Sequence, residues 1–175
     1  MALTQVRPAG LIFPTDSVLQ VKSATQTDIA SFSSSSTSNF VDLSGLSVSI
    51  TPESTSNKIL VMFNVNVAQS VAATVHVRLV RDSTAIYIGD AEGSNRIRSS
   101  ALSRTAATPY DFEIPNLSGT HLDSPSSTSA VTYKLQGTLG STYSGTFYVN
   151  RMKTDGDSDF QGRTASSITV MEIVG

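Results

Sequence analysis

The chain has 175 residues, a formal net charge of −2 and only 15% charged residues. That length holds one domain with a sizeable core, alone or with a short arm, and so weak a charge excludes a basic field for nucleic acid or a charge block for a membrane surface. Cysteine is absent, which excludes a disulfide framework, thiolate chemistry and Cys/His zinc centres.

Serine and threonine make up roughly a quarter of the chain, well above ordinary usage. With Val, Ile, Thr and Tyr frequent and Lys, Glu and Leu scarce, the mixture favours pleated sheet over helix. No segment has a 3.6-residue apolar period. The first ten residues, MALTQVRPAG, lack the apolar run of a signal peptide, and no stretch is long enough to span a bilayer. The expectation is a protein made and assembled in a cytoplasm.

Residues 1–17 read as an arm. Pro8, Gly10 and Pro14 punctuate it, and proline opposes a regular ladder. The triplet Leu11-Ile12-Phe13 between the prolines either covers the edge of its own domain or plugs into a partner, since exposed apolar clusters mark contacts. From Val18 to Gly175 the pattern is period two, one β-sandwich domain. Leu46, Val48 and Ile50 alternate with Ser47, Ser49 and Thr51. Ile59, Val61, Phe63, Val65 and Val67 share a face opposite Lys58, Leu60, Met62, Asn64 and Asn66. Val75, Val77 and Leu79 point inward against Thr74, His76 and Arg78. The pattern continues in Ile86/Ile88, Tyr110/Phe112/Ile114, Val131/Tyr133/Leu135 and Phe147/Val149. Short alternating runs broken by Ser, Gly, Asn, Asp or Pro predict an antiparallel sandwich or barrel. About nine or ten strands suit a jelly roll better than a seven-stranded immunoglobulin sandwich. Residues 31–40, 90–100 and 116–128 read as the long polar connections, where binding tends to reside.

The closing stretch ASSITVMEIVG (165–175) poses a problem of cover. As a strand it carries Ile168, Val170 and Val174 on one face and Met171 and Ile173 on the other. Both faces need burial.

Chemical sites are sparse. His76 shares the polar face of its strand and reads as a surface residue. His121 sits in a Ser/Gly/Asp stretch with no local partner, and no nucleophile elbow supports a Ser-His-Asp triad. Asp111 and Glu113 flank Phe112, a pair that alternation alone produces; glycosidic acid–base work is the sharper alternative. Asp155, Asp157 and Asp159 have oxygen-rich spacing that can bind calcium, but Gly156 is misplaced for an EF-hand loop and no Glu closes it. A plain polar loop is the stronger reading, with no resident metal or cofactor. Arg78, Arg81, Arg96, Arg98 and Arg104, interspersed with Asp82, Asp90 and Glu92, suggest ion pairs in loops or at a subunit contact.

The ordered set Ser56-Asn57-Lys58-Ile59-Leu60-Val61, RLVRDSTAIYIGD (78–90), LDSPSSTSAVTYKLQ (122–136), GTFYVNR (145–151) and ASSITVMEI (165–173) resembles β-sandwich proteins of tailed bacteriophages, many of them from cyanophages and other aquatic phages. The resemblance covers most of the chain after residue 17, and its strength lies in the order of the segments, since no single motif is chemically specific. It implies a virion structural protein, often a homotrimer, with a jelly roll similar to that of C1q and tumour necrosis factor. Relatives of this kind occur as tail-fibre tips and as decorations on heads or tails. In such jelly rolls the last strand lies in an inner sheet, so Ile168, Val170, Met171 and Ile173 would divide between core and subunit interface. Leu11, Ile12 and Phe13 would anchor the domain to other virion proteins of the capsid or tail.

The expectation is a non-enzymatic surface protein of the virion. Capsid decoration or cement stands first, because no shaft, heptad run or collagen-like repeat precedes the sandwich. A tail-fibre or spike tip binding a host-surface glycan is the alternative. A soluble carbohydrate-binding module is the rival class, and an enzyme ranks last.

Overall fold

The computed structural model describes residues 13–34, 39–104, 112–140 and 144–175. Eleven strands run in chain order: β1 (Val18–Gln26), β2 (Ala30–Ser34), β3 (Val41–Ile50), β4 (Lys58–Gln69), β5 (Thr74–Arg81), β6 (Thr84–Ile86), β7 (Ala101–Arg104), β8 (Asn116–Asp123), β9 (Val131–Gly140), β10 (Gly145–Val149) and β11 (Ser166–Ile173). All pairings are antiparallel.

The strands form two sheets. In the first, β1 pairs with β11, β11 with β4 and β4 with β8, while β10 continues β11 along the same edge of β4 and carries β2. In the second, β3 pairs with β9 and β9 with β5. The fourth position there is split: β7 pairs with Thr74–Val77 of β5, and β6 with Leu79–Arg81. Counting the split strand once and leaving aside the β2–β10 pair, eight strands remain. In chain order, one sheet runs first-eighth-third-sixth and the other second-seventh-fourth-fifth. That is the connectivity of a jelly roll.

Alternation fills the space between the sheets. The first contributes Ile59, Val61, Phe63, Val65 and Val67 from β4 and Ile168 and Val170 from β11. The second contributes Val75, Val77 and Leu79 from β5 and Val131, Tyr133, Leu135 and Leu139 from β9. An inter-sheet tie closes one end. The Arg81 Nη1 donates to both Asp123 oxygens at 2.9 Å, and Tyr133 Oη donates to Asp123 Oδ2 at 2.6 Å. Burial, reinforced by that carboxylate, holds the Tyr133 hydroxyl protonated far above the usual tyrosine range.

The terminal strand is held by more than its ladder. Glu172 follows Ile168 and Val170 on the inward face and is fully buried. Its Oε1 accepts from the Glu53 amide at 2.7 Å and Asn57 Nδ2 at 2.6 Å, and its Oε2 accepts from Gln20 Nε2 at 2.6 Å. Three donors offset the cost of burying a carboxylate and tie β11 to the β3–β4 connection. Beyond it, Val174 exchanges backbone bonds with Asp16 and Ser17, both at 3.0 Å.

Several boundaries differ from the sequence reading. Residues 116–123, read as loop, are strand β8. Its inward positions are Leu117, Gly119, His121 and Asp123, and a glycine and two polar residues mask the alternation. Ala30–Ser34 pairs with β10 although it lies largely in the serine-rich stretch. β6 ends at Ile86, because Tyr87 takes φ 52° and turns the chain out of the sheet, so Ile88 is not a strand residue. Phe112–Pro115 precedes β8 without strand structure; Tyr110 and Asp111 lie outside the described residues. Position 172 takes the inward place after Val170, and the strand stops before Val174.

Candidate functional site

The outward face of the first sheet is a regular four-strand surface across β1, β11, β4 and β8. Register places Val21, Met171, Leu60 and Leu122 side by side across β1, β11, β4 and β8. This is an unbroken apolar row, with Val21 52% and Leu122 48% exposed. The next row is Ser23, Thr169, Met62 and Thr120, and the one beyond it is Thr25, Ser167, Asn64 and Ser118. A shallow cavity of about 330 Å³ opens among Met62, Asn64, Ser118, Thr120, Ser167 and Thr169. Thus the face grades from an apolar row to hydroxyl and amide groups.

Of the four terminal-strand residues expected at an interface, Ile168 and Val170 are fully buried against the second sheet. They are core residues, corrected here from the interface expectation. Met171 and Ile173 alternate with them and point outward, Met171 in the apolar row and Ile173 opposite Lys58. Phe13 of the expected anchor is 38% exposed; Leu11 and Ile12 lie outside the described residues.

The Asp155–Asp159 loop is organised by arginine. Asp155 accepts from Arg163 Nε at 3.1 Å and Nη2 at 2.9 Å, and Arg151 Nε stands 3.8 Å away. Hydrogen bonding to Arg163 holds the Asp155 carboxyl below the usual range. Its oxygens face guanidinium groups, the charge a calcium ion would otherwise supply. Among the described residues no three His, Cys, Asp or Glu side chains are grouped to hold a metal.

Both histidines are more engaged than their sequence neighbours suggest. His76 is 7% exposed, a correction to its reading as a surface residue: the 87–100 connection folds over it, and its Nδ1 lies 3.1 Å from Ser99 Oγ. Burial depresses its pKa. His121 stacks on Tyr87 with ring centroids 5.2 Å apart, and its Nε2 lies 3.9 Å from Asp123 Oδ1. Tyr87, just after β6, is a long-range neighbour that local spacing could not supply; Asp123 stands two residues along the same strand, a local partner that corrects the reading of His121 as having none. Glu113 is exposed, and its expected companion Asp111 lies outside the described residues.

The arginine bias resolves into separate roles. Arg81 ties the two sheets through Asp123. Arg78 lies 3.9 Å over the Phe40 ring and donates through Nε to Gln136 Oε1 at 2.8 Å. Arg96 and Arg98 belong to the 87–100 connection, and Arg104 ends β7 exposed.

No protein-family model matches the chain, and no curated protein matches it in sequence. Among solved structures it is similar to that titled as the infectious bursal disease virus VP2 subviral particle. The TM-score is 0.43 and the identity 14%, over 99% of this chain and 46% of that one. It is also similar to a structure of the infectious bursal disease virus Gx strain, with a TM-score of 0.41 and 12% identity, over 99% of this chain and 47% of that one. The chain spans about half the length of each.

Proposed function

We propose that this chain is a non-enzymatic structural protein of a tailed-bacteriophage virion, displayed on the particle as a homotrimeric capsid decoration or cement protein. The observation that carries the proposal is the apolar row Val21–Met171–Leu60–Leu122 on the outward face of the sheet holding the terminal strand. In a monomer this row costs hydration free energy along its whole length; in a trimer the same row from each copy meets near the threefold axis. The polar rows beside it would form the rim. The ordered segments resembling phage sandwich proteins support the virion setting. Leu11, Ile12 and Phe13 would attach each subunit to a capsid or tail protein.

Light scattering at micromolar concentration tests the assembly. The expected mass is that of three chains, and Met171→Asp is expected to give folded monomers, because a carboxylate at the centre of an apolar contact loses its hydration. A folded wild-type monomer overturns the trimer. Co-purification with empty heads that lack tails is the expected result for a decoration protein; recovery on tails alone overturns the head location.

The second reading is a tail-fibre or spike tip that binds a host-surface glycan. A concave pocket under the 87–100 connection, on the sheet face away from the apolar row, favours it.

A further inference from the structure

That pocket has a composition that neither the core nor the proposed trimer uses. After Tyr87 the chain runs across the outward side of β5 and returns as β7. Backbone and serine contacts pin it to the sheet: the Ser100 amide donates to Val77 O at 2.8 Å, and Ser100 Oγ accepts from the Leu79 amide at 2.8 Å. Its neck is closed by Arg98 Nε donating to Gly89 O at 2.7 Å and by the Gly89 amide donating to Ser99 O at 3.1 Å. Between connection and sheet lies an open cavity of about 350 Å³, at the small end of ligand sites.

Three arginines line this one concavity: Arg78, Arg96 and Arg98. The stack on Phe40 and the bond to Gln136 set the plane of the Arg78 guanidinium. Arg96 has no hydrogen-bond or ion-pair partner among the described residues. Asp42 attracts the Arg78 guanidinium while holding donors of its own, and Glu92 is exposed on the same connection as Arg96 and Arg98. Asp42 accepts from Lys134 Nζ at 2.7 Å and Gln136 Nε2 at 2.6 Å, and Asp90 Oδ1 accepts from the Ala91 amide at 2.8 Å. The planar forks of guanidinium groups match a carboxylate, so an anion entering this concavity would meet complementary donors. Ile88 and Ile97 add apolar wall, and Ser94 and Asn95 add hydroxyl and amide groups.

We propose that this pocket binds an acidic sugar unit, a hexuronate of a surface polysaccharide. The arginines would take its carboxylate, Ser94 and Asn95 its ring hydroxyls, and the isoleucines its apolar ring edge. The cavity has room for a ring. An acidic peptide would gain most from an unpaired strand edge, and this pocket sits on a sheet face. The binding chemistry is independent of where the chain sits on a particle; only its use in host recognition rests on the tail-tip reading.

Calorimetric titration of the full-length protein with an oligogalacturonate and with a neutral oligogalactose of equal length tests the pocket. The acidic oligomer is expected to bind at least about tenfold more tightly, the scale of one lost charge-assisted hydrogen bond, and to weaken with added salt. Arg96→Ala is expected to lose at least about tenfold in affinity with an unchanged thermal midpoint, and Arg96→Lys to fall between, keeping the charge without the fork. Equal binding of both oligomers, binding of neither at millimolar concentration, or an Arg96→Ala variant that binds like the wild type each overturns the proposal. A polyglutamate peptide binding as tightly as the oligogalacturonate overturns the assignment to sugar. Because the isolated protein is used, these failures remove the pocket and leave the assembly to its own light-scattering test.

Discussion

At the residue scale, Asn150 shows how much one side chain can hold. It is fully buried with φ 61° and sits where β10 gives way to β11 along β4. Its Nδ2 donates to Gln26 O at 2.7 Å and Asp28 O at 3.1 Å, and its Oδ1 accepts from Ser166 Oγ at 2.5 Å. Its amide donates to Asn66 O, and its carbonyl accepts from Thr164. Asparagine suits the site because it tolerates the left-handed region and offers both donor and acceptor. Asn150→Ala is expected to cost about 2–4 kcal/mol in urea unfolding, from stranded polar groups and backbone strain. Asn150→Gly should recover about 1 kcal/mol of that by relieving the strain. His76 gives a pH signature. Burial lowers its pKa in the folded protein, so on acidification the unfolded chain takes up a proton first. Its contribution to stability is therefore complete above about pH 6.5 and is lost as pH falls through that value toward the folded pKa. Urea midpoints at pH 7.5 and 5.5 should differ less in His76→Gln than in the wild type.

At the element scale, β8 is the strand that periodicity hides, and its reason lies across the ladder. Gly119 pairs with Phe63 of β4. A Cβ on Gly119 would stand 2.7 Å from the Phe63 ring and 2.9 Å from Tyr87, so the two aromatic rings occupy the side-chain space. Gly119→Ala is expected to cost about 1–3 kcal/mol through overpacking. Phe63→Ala, at a position 4% exposed, is expected to cost about 3–5 kcal/mol through the cavity it leaves. Chemical denaturation followed by circular dichroism measures both; a loss below 1 kcal/mol for Phe63→Ala would contradict its place in the core. Tyr87 links this packing to the 87–100 connection, since the residue that ends β6 also covers Gly119 and stacks on His121.

At the scale of the whole molecule, the apolar row and the arginine pocket lie on opposite sheets, so assembly through one leaves the other accessible. The proposed attachment to a particle runs through the residues before the sandwich. The boundary for testing it follows from the bonds of Asp16 and Ser17 to Val174, which make residues 14–17 part of the folded unit. Deletion of residues 1–12 is therefore expected to leave the thermal midpoint within about 2 °C, a change well below 1 kcal/mol, and to abolish incorporation into particles. Wild-type occupancy by the truncated protein, measured on purified virions, would move the anchor into the sandwich loops. Leu11, Ile12 and Phe13 return about 1.5–3 kcal/mol each on burial against about 1–2 kcal/mol per ordered backbone residue. One arm would be marginal, and three arms of the proposed trimer acting together would be durable.

The alternation of β4, β5 and β9 was legible in the sequence because their inward residues hold long apolar runs, as in Ile59–Val67, Val75–Leu79 and Val131–Leu135. That sufficed for an all-β sandwich and for its main core. Strands β2 and β8 were hidden because serine, glycine, histidine and aspartate occupy positions whose partners lie far along the chain, as Gly119 does beneath Phe63. The terminal strand shows the same division. Its two apolar faces were evident, but the assignment of Ile168 and Val170 to core and Met171 to surface needed the register with β4. Glu172 has no local signal for burial; three donors from β1 and the β3–β4 connection make it possible. The gathering of Arg78, Arg96 and Arg98 into one pocket likewise depends on the path of the chain after Tyr87. Periodicity is a local property written into neighbouring residues, whereas pairing, burial of polar groups and convergence of charge are set by contacts between distant segments that only folding brings together.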